Sequence, residues 1–152
     1  MKFEELFEQF CDKYAIEGVV PDENGTVGFK VDDTAVILMK DRKDEGRVNI
    51  IAEIGEMPEQ GQGELSSLLL KANFLLVESG GAILCQNPEN NVYMLFLPLD
   101  TDGLTTDEFC VRLDAFLGKL DDFKEIVKSF HPLYQDSDEE SEVNGFYLSN
   151  LG

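Results

Sequence analysis

The sequence predicts an α+β fold, ordered α-βββ-α-ββ-α, in which a five-stranded antiparallel sheet packs with three helices. Three observations carry that prediction. Apolar residues recur at steps of three and four over 2–16, 64–77 and 105–129, the period of a helix with one buried face. Short apolar runs fill the intervals, joined by links that suit antiparallel neighbours and are too short for crossover connections. Two of those runs are apolar on both faces, and three helices are too few to cover that much surface. The shortfall predicts a homodimer, a bound partner, or both.

The first helix carries Phe3, Leu6, Phe7, Phe10, Cys11 and Tyr14 on one stripe, with Glu4, Glu5, Glu8 and Asp12 on the other side. Acids in the first turn favour the helix dipole. Gly18 ends it, and Pro21-Asp22-Glu23-Asn24-Gly25 reads as a turn-rich link. Thr26–Val31 is the first strand, followed by a tight turn at Asp32-Asp33. Thr34–Lys40 is the second, with Val36 and Leu38 on one face and Ala35, Ile37 and Met39 on the other. A charged turn over Asp41–Gly46 leads to the third strand, Arg47–Ile54, which Gly55 and Pro58 stop.

The central helix, 64–77, carries Leu65, Leu68, Leu69, Ala72, Leu75 and Leu76, and Leu70 and Phe74 widen the stripe beyond one face. A helix apolar around so much of its girth, in a chain this small, reads as a subunit interface. Ser79-Gly80-Gly81 stops it. Strands follow at Ala82–Gln86 and Asn91–Pro98, the second again apolar on both faces and ended by Pro98. Thr105 and Glu108 have the spacing of a capping box for the last helix, which runs to about Ser129. The reading is one domain over 1–132. The segment 133–152 reads as an acidic, solvated, flexible tail, with Asp136, Asp138, Glu139, Glu140 and Glu142 and no base.

Composition narrows function further. The chain has 31 acids against 12 bases, a formal charge of −19, which argues against binding nucleic acid or anionic membranes. Cys11, Cys85 and Cys110 lie in apolar patterns without metal or redox spacing, as expected of free thiols in a reducing cytosol. The acidic start at Met1-Lys2-Phe3-Glu4-Glu5 is unlike a signal peptide, so a cytoplasmic location is expected.

No catalytic constellation emerges. The one histidine, His131, has no companion nucleophile. Gly61-Gln62-Gly63 lacks the rest of a phosphate-binding motif. Asp41–Gly46 fails as a calcium loop, since Lys43 takes the third ligand place and Ala52 stands where the closing Glu is needed. The reading is therefore not an enzyme, with no cofactor and no metal.

Several stretches, in order, resemble the class I type III secretion chaperones (the CesT/SycE-like family). They are the opening helix with Phe7 and Phe10, then Phe29-Lys30-Val31-Asp32, then Gly55-Glu56-Met57-Pro58 with Leu68-Leu69-Leu70-Lys71-Ala72-Asn73. Gly81-Ala82-Ile83-Leu84, Leu97-Pro98-Leu99-Asp100, Leu104 and Phe109 complete the set, which spans about residues 2–130. The chain departs from the pattern in its longer acidic tail. It also lacks the Trp often found near the end of the last helix, where Phe123 or Phe130 stands in.

The resemblance implies a homodimeric bacterial cytoplasmic chaperone. It would bind the N-terminal segment of secreted effectors in extended form, keep them soluble, and hand them to the secretion apparatus and its ATPase. On this reading Leu65, Leu68, Leu69 and Ala72, with Met94 and Phe96, form the dimer interface. Phe3, Phe7, Phe29, Ile37 and Met39 form the effector pockets. The alternative is a small regulatory or adaptor domain of the same fold that binds a folded partner.

Overall fold

The computed structural model describes residues 2–31, 35–76 and 80–133. Its order is α1 (Phe3–Lys13), β1 (Thr26–Val31), β2 (Ala35–Arg42), β3 (Arg47–Glu56), α2 (Gln62–Ala72), β4 (Ile83–Asn87), β5 (Val92–Asp100) and α3 (Thr106–Ser129). The α-βββ-α-ββ-α prediction is borne out. All five strands form one antiparallel sheet ordered β1-β2-β3-β5-β4, so β1 and β4 are its edges. The turn expected at Asp32-Asp33, and all of the expected tail except Leu133, lie outside the described residues.

Strand alternation gives the sheet one face for the core. Val27, Ala35, Ile37, Met39, Val48, Ile50, Ala52, Leu95, Leu97 and Leu99 are buried there. Leu6 and Phe10 of α1, Leu65 and Leu69 of α2, and Phe109, Leu113, Phe116 and Leu120 of α3 belong to the same core. The bulky stripe of α1 turns inward. Phe10 meets Phe109 edge-on at 5.7 Å and Phe29 of β1 at 6.0 Å. Each such side chain, fully buried, contributes about 1.5–3 kcal/mol. Helix α3 passes close over β3 at Gly55, where a Cβ would lie 3.2 Å from Val127 Cγ1. The ladder between β3 and β5 shifts register at that point.

Local chemistry sets several ends. The capping box of α3 forms as the spacing requires. Glu108 N–H donates to Thr105 Oγ1 at 3.2 Å, and Thr105 N–H donates to Glu108 Oε2 at 2.9 Å. Helix α1 stops at Lys13, short of the expected 16. Ile16 N–H donates to the Cys11 carbonyl at 2.9 Å and Ala15 sits at φ 53°, a left-handed closure with Ala where Gly is usual.

Strand β5 continues through Pro98 to Asp100. The ladder explains this. The backbone groups of Leu84 bond to Asn73 and so face away from β5; antiparallel alternation then turns the Pro98 position toward the β4 side. Strand β4 begins only at Ile83, opposite Phe96, so the missing N–H of Pro98 forfeits no ladder bond.

Helix α2 also ends early. Asn73 caps it, and Phe74–Leu76 form a 3-10 turn with Leu75 at φ 58° and Leu76 at φ 55°. Both leucines therefore leave the helical stripe that the sequence assigned them.

Candidate interaction surfaces

With the helices on the core face, no described helix covers the other face of the sheet. Val36 and Leu38 of β2 point there, 56% and 40% exposed, while their neighbours Ile37 and Met39 are fully enclosed. Register carries one apolar row across the sheet. Gly28 stands opposite Leu38, Leu38 opposite Ile51, Ile51 opposite Phe96, and Phe96 opposite Ile83. Ile51, Phe96 and Ile83 are half-buried, flanked by Met94, which pairs with Cys85.

The row begins at an open backbone edge. The Thr26 N–H donates to Asp22 Oδ1 at 2.9 Å, and the Thr26 carbonyl accepts from the Asp22 N–H at 2.8 Å. Thr26 therefore faces away from β2, and alternation turns the backbone groups of Gly28 and Lys30 outward as well. No described residue bonds them. Gly28 has no side chain to screen the row: its nearest outside atom, Leu38 Cδ1, lies 3.6 Å from where a Cβ would sit.

A second apolar surface lies on the outward side of α2. Leu68 is 49% exposed and Phe74 75%, with Leu70 and Leu75 exposed beside them. The left-handed Leu75 and Leu76 cost conformational energy, set against the bonds of Leu76, whose N–H donates to the Asn73 carbonyl at 3.0 Å and whose carbonyl accepts from the Gly81 N–H at 3.0 Å.

The residues predicted from sequence fall into different places. Phe3, Phe7, Ile37 and Met39 are buried in the core of the single chain, so they form the floor under a surface and cannot themselves be touched. Phe29 is half-buried at the rim, 6.1 Å from Phe7. Leu65 and Leu69 are likewise enclosed by their own chain, Leu68 and Ala72 are more open, and Met94 and Phe96 lie on the open sheet face. The six residues assigned to the dimer do not share one surface. Val36, Leu38, Gly28 and Lys30 on the sheet, and Leu70, Phe74 and Leu75 beyond Leu68, had not been assigned. The two-faced apolarity of β2 and the over-wide stripe of α2 were the signals for them.

Charge shapes the flanks. Lys43 bonds Glu4 at 3.0 Å and Lys13 bonds Asp107 at 2.9 Å, tying both ends of α1 down. Burial pushes the Asp41 carboxyl above the usual range; Lys43 opposes the shift and Glu4 adds to it. Burial also raises the Cys85 thiol, which makes it a poor nucleophile at neutral pH. No helix among the described residues is long and apolar enough to cross a membrane.

The model of the Tir chaperone protein (CesT) family matches residues 5–124. The chain belongs to the CesT family. Its membership bears out the resemblance read from the sequence, and the family is one of chaperones. No curated protein matches this CesT-family chain in sequence.

Solved structures share its fold. One chain of the HopA1-SchA chaperone–effector complex is 17% identical with a TM-score of 0.68, covering 81% of this chain and 93% of that one. A chain of the ExsC-ExsE complex is 13% identical with a TM-score of 0.68, over 89% and 100%. A chain of the Yersinia pestis complex of the type III secretion chaperone SycH with a fragment of YscM2 is 18% identical with a TM-score of 0.63, over 79% and 98%.

Proposed function

We propose that this chain is a homodimeric, non-enzymatic chaperone of the bacterial cytoplasm. It holds the N-terminal segment of a secreted effector in extended form along β1 and across the open sheet face. The observation that carries this reading is that an open backbone edge and an apolar row begin at the same residue, Gly28. An extended chain laid antiparallel or parallel to β1 can bond Gly28 and Lys30 and place one side chain over Gly28 toward Leu38 and the next beside Lys30.

Magnitudes decide which term gives affinity. Two outward residues offer four backbone groups, together about 2–6 kcal/mol of net hydrogen bonding. Ordering only four cargo residues costs about 4–8 kcal/mol. The main chain therefore sets direction and register, and apolar side chains on the row supply the affinity. The requirement is for a client rich in alternating apolar residues.

The outward side of α2, from Leu68 to Leu75, is the proposed seat of the second copy. Phe3, Phe7, Ile37 and Met39 support the cargo surface from beneath. The resemblance implies that cargo then passes to the secretion apparatus and its ATPase.

Amide exchange tests the edge. Bound effector should slow the Gly28 and Lys30 amides and leave the paired amides of Val27 and Phe29 unchanged. Lys30→Pro removes one outward donor without touching the ladder to β2; it should keep the fold and weaken cargo binding. Unchanged exchange at both residues in a stable complex would place the cargo elsewhere.

A further inference from the structure

The sheet has two edges, and among the described residues they are not equally open. At β4 the outward backbone groups of Leu84 are already taken. Asn73 Nδ2 donates to the Leu84 carbonyl at 2.9 Å, and the Leu84 N–H donates to Asn73 Oδ1 at 2.8 Å. This two-way bond is what a neighbouring strand would make with that residue, delivered by one side-chain amide. Asn73 is the C-cap of α2, eleven residues away in sequence, held there by its own N–H to the Leu70 carbonyl at 3.1 Å. Strand β4 is only five residues long, and its other outward position, Gln86, lies next to the hairpin.

We propose that Asn73 is an edge plug. It closes β4 against strand addition and so makes β1 the single edge at which an extended chain can pair. Asp22 acts similarly at Thr26, but it leaves Gly28 and Lys30 open, whereas Asn73 takes the second residue of a five-residue strand and leaves Gln86 as the outward position beyond it. Two features thus differ between the edges: the plug, and the free outward positions, Gly28 and Lys30 on β1 against Gln86 on β4. Asn73 is also the C-cap of α2, and the exposed Phe74 and Leu75 follow it directly, so one residue stands between the closed edge and the apolar surface beside it.

The consequence for cargo rests on the chaperone reading; the plug itself does not, and its test needs no cargo. Leu is close to Asn in shape and cannot bond. In Asn73→Leu, amide exchange at Leu84 should speed up about fivefold or more, the factor given by one net hydrogen bond. Exchange at Cys85, which pairs with β5, should hold. The opened edge should also pair with its own kind, so sedimentation should show a concentration-dependent species of twice the wild-type mass.

An unchanged Leu84 amide in a folded Asn73→Leu chain overturns the proposal. So does a faster amide with wild-type mass at every concentration, because something else would then be keeping the edge empty. If Asn73→Leu fails to fold, Asn73→Asp decides. Its carboxylate can still accept from the Leu84 N–H but sets an oxygen against the Leu84 carbonyl where the wild type has a donor, so faster exchange at Leu84 than in the wild type is expected, and wild-type exchange there overturns the plug. None of these outcomes bears on whether an effector binds at β1.

Discussion

Truncating Phe74 should weaken self-association without harming the fold. The side chain is 75% exposed in the single chain, so it contributes little to the core. Covering it on the proposed partner would recover roughly three-quarters of the ~1.5–3 kcal/mol that full burial gives, or about 1–2 kcal/mol. A twofold interface uses each residue twice, so Phe74→Ala should cost the dimer about 2–4 kcal/mol, some 30- to 700-fold in Kd. Sedimentation equilibrium over a range of concentrations reads the Kd, and thermal melting of the dilute monomer is the control. A variant that dimerises like the wild type removes α2 from the interface. A monomer that melts well below the wild-type monomer shows instead that Phe74 supports its own chain.

Leu69 is buried, so Leu69→Asp should unfold the chain outright, seen by circular dichroism, in place of yielding a folded monomer. Leu65→Ala, at a fully enclosed site, should lose about 2–5 kcal/mol in chemical denaturation. Gly61→Ala should lose about 1 kcal/mol or more by the same assay, because Gly61 has φ 77° and a Cβ there would meet Pro132 Cβ at 2.8 Å. Asp41 has a raised folded pKa, so its ionisation favours the unfolded chain, and its stabilising share is lost as pH rises through that pKa. The melting temperature of Asp41→Asn relative to wild type should therefore rise as the pH is raised from about 4, the ordinary carboxylate value, through the folded pKa.

What could be read from sequence was what depends on near neighbours. Thr105 and Glu108 are three residues apart, and their capping box formed as spaced. The first strand, bounded by a turn signal at Gly25, has the ends that were expected. Where the answer depends on distant partners, the pattern gave no warning. At the end of α2, Asn73 bonds the distant Leu84 and Leu75 turns left-handed, although Leu75 fits a helical stripe equally well in the sequence. Pro98 lies within a strand because β4 happens to stop beside it.

The candidate site shows the same division. A period of two separates Val36 and Leu38 from Ile37 and Met39, but both sets are apolar, and only topology says which faces the helices. The chosen set was the enclosed one. Phe3 and Phe7 were open to two readings for the same reason: a bulky stripe serves a core as readily as a groove.

The central claim is that the chain holds an unfolded N-terminal segment of a larger protein. Its most direct test is to purify the tagged chain with its client from the cells that make it, digest briefly, and identify what remains bound. One contiguous fragment from the client's N-terminal region, surviving with the chaperone while the rest is lost, is the predicted result. A client that survives intact and folded would contradict the account and favour an adaptor of the same fold.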